Sequence, residues 1–296
     1  MLSMVYIREN PYKSDLIRVQ NAFSRLNVRR LTIKRLLTGA IALPLLILLI
    51  LKGSLFLFGC FIMLLSFVGL TEFYQMALPE RKPEGLLAAF LGSLLLAPLP
   101  PDHMRLAFTL AILVILFALF ALFRIKDIKR SAADLGLFLM GILYVPLLLN
   151  HLLLLRWEPY GTQWVFLLLV IVMAGDTAAF YVGSALGKRK LYPIVSPNKS
   201  VEGALGGLAG STAGAFIARV TFFPELSVTD CIVTALLVGG LGQLGDLFES
   251  LLKRSFGVKD SGVIIPGHGG MLDRLDSILF AAPAAFYYTY FIFMRR

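Results

Sequence analysis

Nine runs of apolar residues, separated by short polar connections, leave this chain few folds to choose from. They are Leu36 to Leu51, Leu55 to Met76, Leu86 to Leu99, Leu106 to Phe123, Leu135 to Leu155, Trp164 to Leu186, Val201 to Phe223, Cys231 to Leu252 and Leu275 to Met294. A helix needs about 20 apolar residues to cross the hydrocarbon core of a bilayer, fewer where its ends snorkel or the bilayer thins. The first and third runs are short and would be tilted, re-entrant or paired as a hairpin. Of the 296 residues 58% are hydrophobic and 16% charged, with a mean hydropathy of +0.80, outside the range of soluble globular domains. The expected fold class is therefore all-α: a polytopic integral membrane protein of about nine transmembrane helices.

A formal net charge of +10 would raise nucleic acid as a partner in a soluble chain. Here the positions of the basic residues explain it differently. The first thirty-five residues are polar and carry Arg8, Lys13, Arg18, Arg25, Arg29, Arg30, Lys34 and Arg35, which argues against a cleavable signal peptide and for a cytoplasmic N-terminus. Leu16, Val19, Phe23 and Leu26 recur at helical spacing, as in a helix lying on an anionic leaflet or packed on the protein. Alternating from that end, the inside connections hold 22 Lys and Arg and the outside ones 5, as cytoplasmic loops require. Membrane orientation thus accounts for most of the positive charge, and no nucleic-acid partner is expected. Cys60 and Cys231 lie inside apolar runs and read as buried free thiols.

Ionisable residues inside spans cost about 2.5–3.5 kcal/mol each on insertion scales and usually face a cavity or a partner. They are Glu72, Asp176, Arg219, Asp246 and Glu249. Asp246, Glu249 and Ser250 share one helical face, and Lys253 and Arg254 follow directly. Acidic groups followed by basic ones at a helix end suit a water-filled pocket for a metal and a phosphate. The structural alternative is a buried ion pair of Arg219 with Asp176 or Asp246. Glu72 lies near a cytoplasmic end, where it can simply reach the interface.

Two connections add to that pocket. In "GKRKLYPIVSPNKSVEGALGG", Pro193 and Pro197 break helix, and Ser200, Glu202 and three glycines open the next span. Unpaired N–H groups at such a helix start, with Lys199 beside them, suit a phosphate. In "KDSGVIIPGHGGMLDRLD", His268 sits among glycines, and Asp273 and Asp276 are three apart. That acidic pair suits Mg²⁺, which takes carboxylate and phosphate oxygens and keeps several waters. Lys259 and Arg274 would neutralise phosphate, and Asp260 would bind metal or hold a basic group.

From Ser250 the run "SLLKRSFGVKDSGVIIPGHGGMLDRLD" resembles the signature of the phosphatidate cytidylyltransferases, or CDP-diacylglycerol synthases, through Ser250, Lys253-Arg254, Lys259-Asp260, Gly262, Pro266, His268-Gly269-Gly270, Asp273-Arg274 and Asp276. The likeness extends through "GDLFES", "SPNKSVEG" and "AGDTAAFYVGSALGK", departing at Ala178, where a glycine is expected. It covers about the last 125 residues. The resemblance implies a membrane enzyme that uses Mg²⁺, and open to a second metal ion, to join CTP and phosphatidate into CDP-diacylglycerol and pyrophosphate. It implies a catalytic set of Asp246, Lys259, Asp260, His268, Asp273, Arg274 and Asp276. Substrate contacts would come from Lys199, Ser200, Glu202, Arg219, Glu249, Lys253, Arg254, Gly269 and Gly270, and metal ligands from Asp176, Asp246, Asp273 and Asp276. The expected organisation is a basic amphipathic segment (1–35), N-terminal helices (36–160) and a C-terminal catalytic region (161–296), in the cytoplasmic membrane with its site facing the cytoplasm. A homodimer through membrane helices is compatible with an apolar lipid-facing surface. Rival readings are a transporter, against which stands the lack of an internal repeat, and a CDP-alcohol phosphotransferase, for which "DRLDS" is too short an acidic array.

Overall fold

The computed structural model describes residue 40 and residues 43–97, 99, 103–123, 128–264 and 269–296. The basic segment 1–35 and His268 lie outside the described residues. Among those described, eleven α-helices follow in order: α1 (Leu43–Lys52), α2 (Leu55–Ala77), α3 (Lys82–Ser93), α4 (His103–Phe123), α5 (Ile128–Tyr144), α6 (Pro146–Trp157), α7 (Gly161–Leu186), α8 (Val201–Thr221), α9 (Val228–Thr234), α10 (Gly240–Ser255) and α11 (Leu272–Phe291). Between α7 and α8 the chain forms an antiparallel hairpin of β1 (Lys190–Tyr192) and β2 (Ser196–Ser200).

The all-α membrane architecture is as the hydropathy requires. Five stretches among the described residues are long and apolar enough to cross a bilayer: Leu55–Ala77, Ile128–Trp157, Gly161–Leu186, Val228–Ser255 and Leu272–Arg295. The fifth expected run is two helices, because Pro146 opens a new helix directly after Val145. The third is only the twelve-residue α3 followed by one 3₁₀ turn. Helix α8 is long but rich in glycine, serine and alanine. Large apolar side chains such as Phe56, Leu64, Phe108 and Val220 point outward, a surface that water would not tolerate at this extent.

Small residues explain the closest pairing. Helices α7 and α8 form the most extensively packed pair, antiparallel across the hairpin. Gly203 faces Gly183, Gly207 faces Ala179, and Gly214 faces Ala174 and Val170, so side chains larger than these would push the backbones apart. A π-helical segment, Ala235–Gly239, joins α9 to α10. Its extra residue turns the rest of the helix by about 100° relative to a continuous α-helix. Gly245 then lets α10 touch α11, since a Cβ there would meet the Asp276 carbonyl and Phe280. One buried core runs from Ile50 through Phe73, Leu149 and Trp164 to Leu279 and Tyr288, joining the two halves of the chain.

Candidate active site

At the end of the bundle where α7 stops and α8 begins, a cavity of about 1190 Å³ opens between α7, β2, α8, α10 and α11. Its walls carry Asp176 from α7, Asp246 from α10, and Asp273 and Asp276 from α11, opposite Lys199, Lys253 and Arg274. Each wall has a local cause. Ser200 caps α8, its hydroxyl oxygen accepting the Gly203 N–H at 3.1 Å, which leaves its own O–H to donate into the cavity. Gln243 donates to the Ala204 carbonyl at 3.1 Å and pins α10 to the first turn of α8. Lys199, arriving on β2, pairs with Asp246 at 2.6 Å, both half-buried.

A second layer holds the cavity floor. Lys253 bridges Glu249 at 2.5 Å and Asp273 at 2.6 Å. Asp273 also accepts the backbone N–H groups of Gly270 at 2.8 Å and Ser261 at 3.1 Å. Helix α10 ends in a Schellman turn: Gly257 at φ 73° donates to Arg254 O, and Val258 donates to Lys253 O. The turn aims the chain into the 259–271 connection, where Gly269 takes φ 85°, a conformation that favours glycine.

The structure brings together Asp176, Lys199, Ser200, Asp246, Lys253, Asp260, Gly269, Asp273, Arg274 and Asp276 around one cavity. Other expected contacts stand elsewhere. Arg219 lies in the last turn of α8, about 28 Å along the helix from Ser200, and its Nε donates to Leu226 O at 2.8 Å. It reaches neither the cavity nor Asp176 or Asp246, so both the substrate role and the alternative ion pair give way to a loop anchor. Half-buried Glu202 accepts the N–H groups of Lys188 and Arg189 at 3.1 and 3.2 Å, tying the base of the hairpin to α8. Arg254 turns back to Val258 O at 3.1 Å, and Lys259 is exposed outside the cavity lining. Glu249 is fully buried beneath the cavity, and Gly270 acts through its N–H on Asp273.

The acidic groups divide as well. Asp273 has both oxygens engaged by the protein, which suits a clamp better than a metal ligand. Asp176, Asp246 and Asp276 face the cavity within electrostatic reach of one another. Among the described residues no three His, Cys, Asp or Glu side chains form a ready metal cage. Three hard carboxylates spread around a wet cavity still fit Mg²⁺, which binds through one or two carboxylates plus water and substrate phosphate.

Sequence reasoning undervalued Glu72. Far from reaching an interface, it is fully buried in α2, and its Oε2 accepts the Leu272 N–H at 2.8 Å and the Ser261 Oγ–H at 3.2 Å. Its signal was the cost of a carboxylate in an apolar helix, which demands a partner. Gln243 and Asn198, also on the cavity wall, carry no comparable signal.

A helical membrane protein with a polar cavity, walled by carboxylates, cations and a helix N-terminus, carries the kinds of group that phosphates and a hard cation would need. A model of the cytidylyltransferase family matches residues 33–292. The phosphatidate cytidylyltransferase of Staphylococcus saprophyticus is 35% identical over 258 residues, covering 84% of this chain and 95% of that protein. That of Staphylococcus epidermidis is 33% identical over 251 residues, with the same coverage. That of Bacillus subtilis is 39% identical over 155 residues, 52% of this chain and 58% of its own length. The chain belongs to the cytidylyltransferase family.

Proposed function

We propose that this chain is a Mg²⁺-dependent phosphatidate cytidylyltransferase, joining CTP and phosphatidate into CDP-diacylglycerol with release of pyrophosphate. The observation that carries the reading is the cavity in which Asp176, Asp246 and Asp276 face Lys199, Lys253, Arg274 and the capped start of α8. Family membership and the names of the relatives point the same way.

A phosphatidate oxygen, already anionic at neutral pH, attacks the α-phosphorus of CTP. The bond from that phosphorus to the bridging oxygen breaks, and the electron pair leaves with pyrophosphate. No strong base is needed, so catalysis is positioning and charge neutralisation. Lys199, Arg274 and the Ser200 hydroxyl hold phosphate oxygens of CTP. Asp246 and Asp276, with Asp176 nearby, would hold Mg²⁺, which would supply charge neutralisation for the phosphates. Lys253 keeps Asp273 and Glu249 in place below them.

The site faces the cytoplasm, where CTP is, in a cytoplasmic membrane. Lys188, Arg189, Lys190, Lys253, Arg254 and Lys259 cluster at the cavity end, whereas Arg156, bonded to Ile50 O at 3.3 Å, lies at the other with Arg219 and Arg296. Purified protein given phosphatidate, Mg²⁺ and CTP labelled at the α-phosphate should place label in the lipid phase and release pyrophosphate, both abolished by a chelator. Label that stays in the aqueous phase with a CTP-binding preparation would reject the reading.

A further inference from the structure

Glu72 sits in α2, nearly two hundred residues before the connection that it touches. No part of its side chain meets solvent. Its Oε2 takes two hydrogen bonds, from Ser261 Oγ at 3.2 Å and from the N–H of Leu272 at 2.8 Å. The second satisfies one of the unpaired donors at the start of α11. The connection is shaped to receive it. A Cβ on Gly262 would strike the carboxyl group of Glu72, and one on Gly270 would strike Ser261 Oγ and Glu72 Oε2. Oε1, equally buried, has no hydrogen-bond partner among the described residues and lies against Gly262.

The grip falls on both ends of the segment that carries chemistry. Ser261 follows Asp260, and Leu272 precedes Asp273 and Arg274, all three on the cavity wall. Asp273 closes the same loop from the other side through the N–H groups of Ser261 and Gly270, and the Ser261 hydroxyl accepts the Asp273 N–H at 3.2 Å. Ser261 is therefore held between two carboxylates, one from each half of the chain.

We propose that Glu72 is a positioning residue for the transfer reaction: it locks the 261–272 connection against α2, and so sets Asp260, Asp273 and Arg274 in the cavity. Its effect comes through geometry and not through charge. A side chain of the same length that accepts two hydrogen bonds at one oxygen can replace it, and a shorter one cannot. The kinetic part rests on the cytidylyltransferase reading, and the lock itself does not.

The test uses the full chain in lipid nanodiscs, as wild type and as Glu72→Gln, Glu72→Asp and Glu72→Ala. Hydrogen exchange is followed over 259–276, with α7 and α8 as the internal reference, and label transfer from CTP is measured on the same preparations. Glu72→Ala and Glu72→Asp are expected to speed exchange over 261–273 alone and to lower kcat by about 10²-fold, the size of loss that a 1 Å misplacement brings. Glu72→Gln is expected to keep wild-type exchange and most of kcat. A Glu72→Gln variant as slow as Glu72→Ala but with wild-type exchange would overturn the proposal, because charge would then matter. So would a Glu72→Ala variant unchanged in exchange and rate. Should Glu72→Ala fail to fold, Ser261→Ala probes the lock from the loop side: faster exchange over 261–273 supports it, and wild-type exchange overturns it. Wild-type protein without transfer activity would defeat the functional reading alone, since exchange still decides for or against the lock.

Discussion

The segment Val228–Ser255 and helix α11 pack along each other, and the two ends of that pairing each bury a carboxylate in a different way. At one end Asp230 is fully buried and fully used. Its Oδ2 accepts the Ser227 N–H at 2.8 Å, the Ser227 hydroxyl at 2.7 Å and Arg296 at 2.6 Å, while Oδ1 accepts the Tyr288 hydroxyl. About 18 Å along α11 from Tyr288, Asp276 accepts, among the described residues, only the neighbouring N–H of Ser277, and Asp246 holds only Lys199. Both open into the cavity. A carboxylate whose lone pairs are all taken fixes helices in place. One left partly unpaired beside a cavity is available to a ligand.

Four variants break or sharpen that contrast. Lys253→Met should have the largest effect, because it strips the shared cation from buried Glu249 and Asp273. Breaking such a pair costs about 3–5 kcal/mol. Thermal unfolding in detergent should show a large drop in midpoint, and label transfer from CTP should be lost with it. A variant that melts like wild type would mean that the cavity floor does not depend on this bridge.

Asp246→Asn comes next, with a fall in transfer rate of about 10²–10³-fold, as when one electrostatic group is removed from a preorganised site. Its unfolding midpoint should stay near wild type, and Mg²⁺ dependence should weaken. Wild-type rate with unchanged Mg²⁺ dependence would remove Asp246 from the site. Asp230→Ala is the mirror image. Losing the capping box at the start of α9 and leaving the Tyr288 hydroxyl without its acceptor should cost about 2–3 kcal/mol of stability. Rate per folded molecule should remain within about twofold, since Asp230 lies away from the cavity lining. A selective loss of rate would erase the distinction between the two ends. The smallest effect belongs to Glu202→Gln at the exposed hairpin base, where KM for CTP should move by no more than about twofold. A tenfold rise would make Glu202 a substrate contact after all.

Much of the site is legible in the order of the amino acids. The cost of charge in lipid singles out Asp176 and Asp246, and the run of glycine, basic and acidic residues between Lys259 and Asp276 marks the stretch that brings Asp260, Asp273, Arg274 and Asp276 to the cavity. The same rule flags Arg219, yet it cannot tell a residue beside a ligand from one that reaches a loop carbonyl. Glu202 and Arg254 sit at the right spacing and bond instead to nearby backbone. Asp273 and Asp276, three apart on one helix, have opposite occupations because only one of them meets Lys253. The two-helix break at Val145–Pro146 and the shortness of α3 likewise escape a hydropathy window, which registers apolar length and not backbone direction.

Sequence by itself determined the solvent, the helical class and the candidate chemistry. An apolar chain in lipid must satisfy its backbone within helices, and the charges that it keeps there need a purpose. Tertiary structure decided which of those charges meet. Glu72 reaches Ser261 and Leu272, and Lys199 reaches Asp246, only because α2, α8, α10 and α11 pack at one end of a common core. Such contacts depend on helix crossings and on the small residues that permit them, Gly245 against α11 and Gly207 against α7, and separation along the chain carries no record of them.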